Sequence, residues 1–435
     1  MTTAVPTRPI SPARAPAVGG AGLGTGDSPP AILPGEHFAA ALAFFVAGAA
    51  GLALIAPDLA SGLFYLPRVV AVVHLFVLGW IVLSIFGALC QFLPVAVGRP
   101  IRSIPLAHVT FGVHVLGVLF FVGSLATGTR GLLHAGAGLL ATSFALFAGN
   151  LAATLASVRE RSLTWWALAG AAVFIVATPV YGVTLALNLH GDVVIAERFA
   201  TVAAHAHVAI VGFVMLVVVG VAHRLLPMFL LSHGASERPA WASLILLFAG
   251  AAILAVPLGG AARFVTAGML IVGGFVAFLA QAALFFHHRK RRAIDPGMRL
   301  AAVGLVGLAF ATLLAPFALS RGMTDLSLLV TYFVVLLGAI SLFIAGQYYK
   351  IVPFLVWFHR FGPFIGKKKV PKVSELYSDS IALINGGLLV SGWVGVAAGA
   401  YLGVGLLLRM AALVFMAGAV LEAIVVVRIA QRKAT

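Results

Sequence analysis

Apolar runs of about 20 residues, the length that crosses the hydrocarbon core as a helix, recur twelve times along the chain. They lie near residues 38–57, 66–95, 104–126, 131–157, 163–188, 195–228, 239–258, 262–286, 297–319, 325–355, 377–401 and 404–428. The pattern predicts an all-α integral membrane protein of twelve transmembrane helices. The second, sixth and tenth runs exceed what a bilayer needs, so those helices are expected to tilt or protrude. Residues 1–36, rich in Ala, Pro and Gly and without an apolar run, read as a disordered cytoplasmic tail. Residues 37–430 form the membrane domain.

Composition agrees with this pattern. Of 435 residues 62% are hydrophobic and 9% charged, a balance suited to lipid because only apolar side chains are cheap there. The lone cysteine, Cys90, excludes an intrachain disulfide, a CxxCH haem-attachment site and a thiolate metal cluster. The net charge of +16 does not point to nucleic acid, since no soluble domain exists to carry such a site. It marks orientation instead. Arg68, Arg130, Arg198, Arg263, Arg321 and Arg409 occupy one set of loops, and the other 22 of the 28 basic residues lie on the opposite side. Those include the runs His287–Arg292 and Lys367–Lys369. Basic loops stay in the cytoplasm, so both termini are expected there. The expected localisation is a bacterial inner membrane.

One line is written more than once. HLFVLGWIVLSIFGALCQFLP runs from His74 to Pro94, and HVAIVGFVMLVVVGVAHRLLP from His207 to Pro227. Both carry H-x4-G-x7-G-x6-P. A third copy, FVVLLGAISLFIAGQYYKIVP, keeps Gly338, Gly346 and Pro353, with Phe333 in place of the histidine. The copies fall on the second, sixth and tenth runs. They predict three four-helix arcs, near 37–160, 161–290 and 295–430, around a pseudo-threefold axis. The paired glycines admit a close neighbour or a flat ligand, and the proline ends or kinks each helix.

An ionisable residue inside a span is a candidate functional residue, because burying it costs free energy that packing alone does not require. Of thirteen histidines, His74, His134, His205 and His207 fall in the outer third of their spans, and His114 near mid-membrane. Neutral imidazole ligates haem iron and copper. His74 and His207, matched in their repeats, are the expected pair across one pocket. His205 sits about 200° around its helix from His207, so it serves a second site or binds a carbonyl. His134 and His114 are reserves for a further haem or copper site. Arg68 and Arg198, with Arg130 and Arg409, border the outer face, where they are placed to neutralise haem propionates.

Twelve helices in three arcs, with histidines at the outer ends of the second and sixth, resemble subunit I of the haem-copper oxidase superfamily. The chain is similar to its nitric-oxide-reductase-like members and to NnrS-type proteins, over about residues 37–430. The resemblance implies haem b, with copper as a further cofactor. It implies an oxidoreductase that transfers electrons or handles nitric oxide or another small gas. It also implies a cytochrome or other electron donor as partner, besides the lipid bilayer. Carried over, His74 matches the histidine that ligates the low-spin haem, and His207 or His205 falls near the copper-ligating position. The chain departs from the pattern in several places. Val208, Ala209, Ile210 and Val211 replace the residues that follow the sixth-helix histidine. The seventh run has no His-His pair, and the tenth has Tyr332 and Phe333 where a His-x-His is expected. A complete proton-pumping oxygen reductase is therefore not expected. A transporter or metal carrier and a haem-free assembly subunit stand as the alternatives. The repeats run in one direction, which weighs against a transporter of the inverted-repeat kind.

Overall fold

The computed structural model describes residues 29–257 and 260–433. Twelve helices among them are long and apolar enough to cross a membrane: Ile32–Leu54, Pro67–Val97, Ile104–Thr127, Arg130–Ala156, Leu163–Leu189, Arg198–Leu230, Arg238–Ala255, Ala262–His287, Pro296–Thr324, Leu326–Phe364, Asp379–Leu402 and Gly405–Ala430. We call these spans one to twelve. No strand occurs among the described residues, only an isolated bridge between Ser232 and Arg289. The protein is an all-α integral membrane protein. Twelve crossings return the chain to the face on which it begins.

Residues 1–28 of the expected tail lie outside the described residues. Span one starts earlier than the sequence suggested, at Ile32, and takes in Leu33, Pro34, Gly35 and Glu36. Pro34 does not stop it. In the first turn of a helix the missing proline N–H is one that would have had no partner anyway. Other helices start on side-chain caps. Ser103, Ser162, Asp295 and Asp325 accept hydrogen bonds from the backbone N–H of Leu106, Trp165, Met298 and Leu328, satisfying donors that a first turn leaves free.

Spans two, six and ten are the longest, at 31, 33 and 39 residues, and the most buried. The other nine surround them. Span one packs on two, five on six and nine on ten. Span three pairs with four, seven with eight and eleven with twelve. Four then packs on five, eight on nine and twelve back on one. The packing thus repeats every four spans and closes into a ring.

The repeated glycines explain part of this. A Cβ on Gly79 would lie 2.5 Å from Phe44 Cβ, and one on Gly212 would lie 2.5 Å from Phe174 Cγ. On Gly87 and Gly220 it would meet His37 and Ala167, seven residues before those phenylalanines. Spans one and five therefore use matched positions to lie against spans two and six, and these four glycines admit the neighbouring side chains at close range. The third copy keeps the inner contact, Gly346 against Gly297 and Ala301. At Gly338 the neighbour is Trp393 of span eleven instead. Each repeat proline sits inside its helix, and the regular α-helix runs three residues beyond it, to Val97, Leu230 and Val356.

Both histidine-bearing copies also leave α-helical winding at the same point. Eight residues of π-helix, Leu75–Val82 and Val208–Met215, follow immediately after His74 and His207. Such wider turns are rare and occur often at functional sites. Span ten is α-helical through the corresponding stretch.

Candidate functional site

A cavity of about 390 Å³ opens between the helices toward the face opposite the chain ends. This volume is typical of small-molecule and cofactor sites. Its walls are almost wholly apolar, with Phe121, Phe144, Phe213 and Phe415 among them. The polar exceptions are few: His74, His205, Thr178 and Ser341 in the walls, with Arg198 at the start of span six and Tyr65 in the turn before span two.

His74 and His205 face each other in this cavity. Their ring centroids are 6.5 Å apart and their planes differ by 16°. Each lies seven residues into its span, counted from Pro67 and Arg198, so both sit at a depth of roughly 10 Å along the helix. The Nδ1 of His74 is 2.7 Å from the Val70 carbonyl. A carbonyl only accepts, so Nδ1 carries the proton and Nε2 keeps its lone pair. Phe121 packs beside the ring at a centroid distance of 4.9 Å. The His205 ring approaches the main chain of Thr178, and its buried Nδ1 makes no hydrogen bond of normal geometry. Gly182 lies against its Cε1; a Cβ there would be 3.4 Å away.

The pairing differs from the expected one. His207 does not line the cavity. Its Nδ1–H donates to the Ala203 carbonyl at 2.8 Å, the bond that His74 makes to Val70. The two residues are thus equivalent in their helices. Equivalence within the helices therefore does not place both residues at the cavity. His205, on the other side of its helix, is the one that points back toward His74.

The remaining candidates are engaged elsewhere. His114 is buried, with Nε2–H donating to the Leu78 carbonyl at 3.1 Å and Nδ1 hydrogen-bonded to the Ser143 hydroxyl at 3.0 Å. Leu78 belongs to the first π segment, whose wider winding changes the usual carbonyl partners. With both nitrogens engaged, His114 braces that segment and is not free to ligate a metal. His134 has Nε2 3.0 Å from Asp192 Oδ2, and Arg130 also pairs with Asp192. That group lies outside the cavity lining. Arg68 is not free for a ligand, because it grips Asp58 with two hydrogen bonds of 2.5 and 2.7 Å. The Arg68 guanidinium in turn holds the Asp58 carboxyl below the usual carboxylate range. Arg198 is exposed and lines the cavity. Among the described residues, no three His, Cys, Asp or Glu side chains group as a metal site.

Sequence reasoning did not single out Thr178, Gly182 or Trp393. The first two flank Pro179 inside span five, a Thr-Pro-Val-Tyr-Gly stretch whose small and helix-distorting residues were the available signal. No protein-family model matches the chain, and no curated protein matches it.

Proposed function

We propose that this protein is a haem-binding redox protein of the membrane, in which His74 and His205 would hold the iron from two helices. The observation that carries the reading is their separation of 6.5 Å. Two metal–nitrogen bonds of about 2.0 Å plus the radius of each ring give roughly 6.3 Å between centroids. The Nδ1–H bond of His74 to a main-chain carbonyl is the usual outer partner of a ligating histidine, since it sets the tautomer and ring orientation. The cavity volume favours a large apolar ring over a bare ion, which would use the two nitrogens and leave most of the 390 Å³ empty. Arg198 is placed to pair with carboxylates at the cavity mouth. Bound there, haem b supplies a one-electron iron centre.

The protein's own contribution is to position and to exclude. With His74 and His205 both holding the iron, the site would suit electron transfer more than gas binding. The apolar walls keep water out. The exposed mouth is where a cytochrome or other donor reaches the centre. The packing period of four spans and the matched π segments support the three-arc arrangement with pseudo-threefold symmetry. The basic loops support cytoplasmic termini.

The test is the visible spectrum and pyridine haemochrome of the purified chain. His74→Ala and His205→Ala are each expected to remove or reshape the Soret band, and His207→Ala to leave it intact. Loss of the band in His74→Ala and His207→Ala, with His205→Ala unchanged, would restore the pairing expected from sequence. Colourless wild-type protein expressed with ample haem would defeat the reading.

A further inference from the structure

Away from the cavity, span twelve carries Glu422, the one acidic residue well inside that helix. It is completely buried, and neither carboxyl oxygen has a hydrogen-bond partner of normal geometry. An ionised carboxylate in such a place is costly unless something neutralises it. Span ten faces it with Tyr348 and Tyr349. Tyr348 is hydrogen-bonded to the Ser84 hydroxyl at 2.8 Å. The Tyr349 hydroxyl is buried, approaches Glu422, and has no hydrogen bond of normal geometry. Span eleven offers Asn385, whose Nδ2–H donates to the Gly418 carbonyl. The ionisable groups of span one are used elsewhere, Glu36 with His108 and His37 with the Leu33 carbonyl. No cation faces Glu422 among these contacts.

A polar column joins this carboxyl to the face of the chain ends. The Tyr349 and Tyr377 rings are 5.2 Å apart. Tyr377 lies in the loop between spans ten and eleven, and its hydroxyl titrates above its ordinary value because of burial and then the nearby Asp295 and Asp379 carboxylates. It therefore keeps its proton and can pass one along. A Cβ on Gly297 would meet Tyr349 Cβ at 2.7 Å and Asp295 Oδ1 at 3.5 Å, so Asp295 and Tyr349 flank one glycine. Asp295 accepts from Lys350 Nζ at 2.5 Å, and Arg291 lies 3.6 Å away. Glu422 itself is eight residues from Ala430, about 12 Å of helix.

We propose that Glu422 is a proton-binding site within the bundle, reached from the face of the chain ends through Tyr349 and Tyr377. Uptake forms one O–H bond on the carboxyl. The proton comes from water beside Asp295 and Lys350, and no electron moves. The proposal does not depend on the haem reading, since none of its residues lines the large cavity.

Infrared spectroscopy of the full chain in liposomes tests it. A neutral-carboxyl C=O band is expected at pH 7, absent in Glu422→Gln and displaced in Glu422→Asp. It should fade once the pH is raised far enough to ionise the carboxyl. Its shift on transfer to deuterated water should slow by about tenfold in Tyr349→Phe and in Tyr377→Phe. Glu422→Asp provides the assignment if Glu422→Gln does not fold. A spectrum with no Glu422-dependent band at any pH would overturn the site. A band that exchanges equally fast in both tyrosine variants would overturn the path.

Discussion

At the residue scale, Leu231 stands out as the one non-glycine residue with positive φ among the described residues, at 52°. It follows Pro227 by four residues, as Gly98 (φ 71°) follows Pro94, and each caps its helix in the left-handed conformation. A side chain there costs about 1 kcal/mol relative to glycine, and the Leu231 side chain is half-exposed, so little packing offsets that. Leu231→Gly is expected to raise stability by about 1 kcal/mol, read as a higher unfolding midpoint in detergent; Gly98→Leu should lower it by a similar amount. A second prediction concerns Asp58 and Arg68. The paired carboxyl titrates below its unfolded value, so its contribution is present above about pH 4 and declines as the pH falls through the folded value. Arg68→Met should therefore lower stability slightly at neutral pH, and the difference from wild type should shrink on acidification. An unchanged difference at low pH would assign the loss to packing. The histidines mark the limit of what the sequence offered at this scale. Their depth was legible from spacing, and so was the 200° between His205 and His207. Which of the two meets His74 was not, because that depends on how one helix is turned toward another, and a repeated motif draws attention to equivalent residues that face different clefts.

At the element scale, length and hydropathy sufficed to find all twelve spans within a few residues of most boundaries. The main exceptions were span one, which starts at Ile32 because Pro34 and Gly35 look like loop residues but fit a first turn, and span ten, which runs on to Phe364. The π segments after His74 and His207 were not legible. Their residues are ordinary apolar ones, and winding is decided by the neighbours, including the His114 hydrogen bond to Leu78 and the close approach of Phe44 and Phe174. Those contacts make a prediction. Gly79→Ala and Gly212→Ala each force a Cβ into a ring 2.5 Å away or its Cβ, so each should cost about 1–3 kcal/mol of stability. The two losses should be similar, since the contacts are matched. Denaturant titration of detergent-solubilised protein measures both, and a neutral effect at either position would mean that spans one or five can retreat without loss.

At the scale of the whole molecule, the question is whether a twelve-helix bundle with two histidines facing one cavity would reduce oxygen and pump protons, as haem-copper oxidases do. Oxygen reduction by that route needs an open haem face opposite a three-histidine copper with a tyrosine nearby. On the proposed reading His74 and His205 would both hold one iron, while His114 is engaged at both nitrogens and His134 lies with Asp192 and Arg130 outside the cavity. Pumping needs protonatable groups threaded from one face to the other. Glu422, with Tyr349 and Tyr377, leads inward from one face only, and its residues stop short of the cavity lining. A single proton site loads and unloads on the side it faces, so it moves no net charge across the membrane. The expected outcome in liposomes, with an artificial reductant and a pH-sensitive dye outside, is reduction of the centre without sustained oxygen uptake and without acidification. Cyanide-sensitive uptake coupled to acidification would refute both halves of the argument. Uptake without acidification would refute only the first, and would mean that His74 and His205 do not both hold the iron.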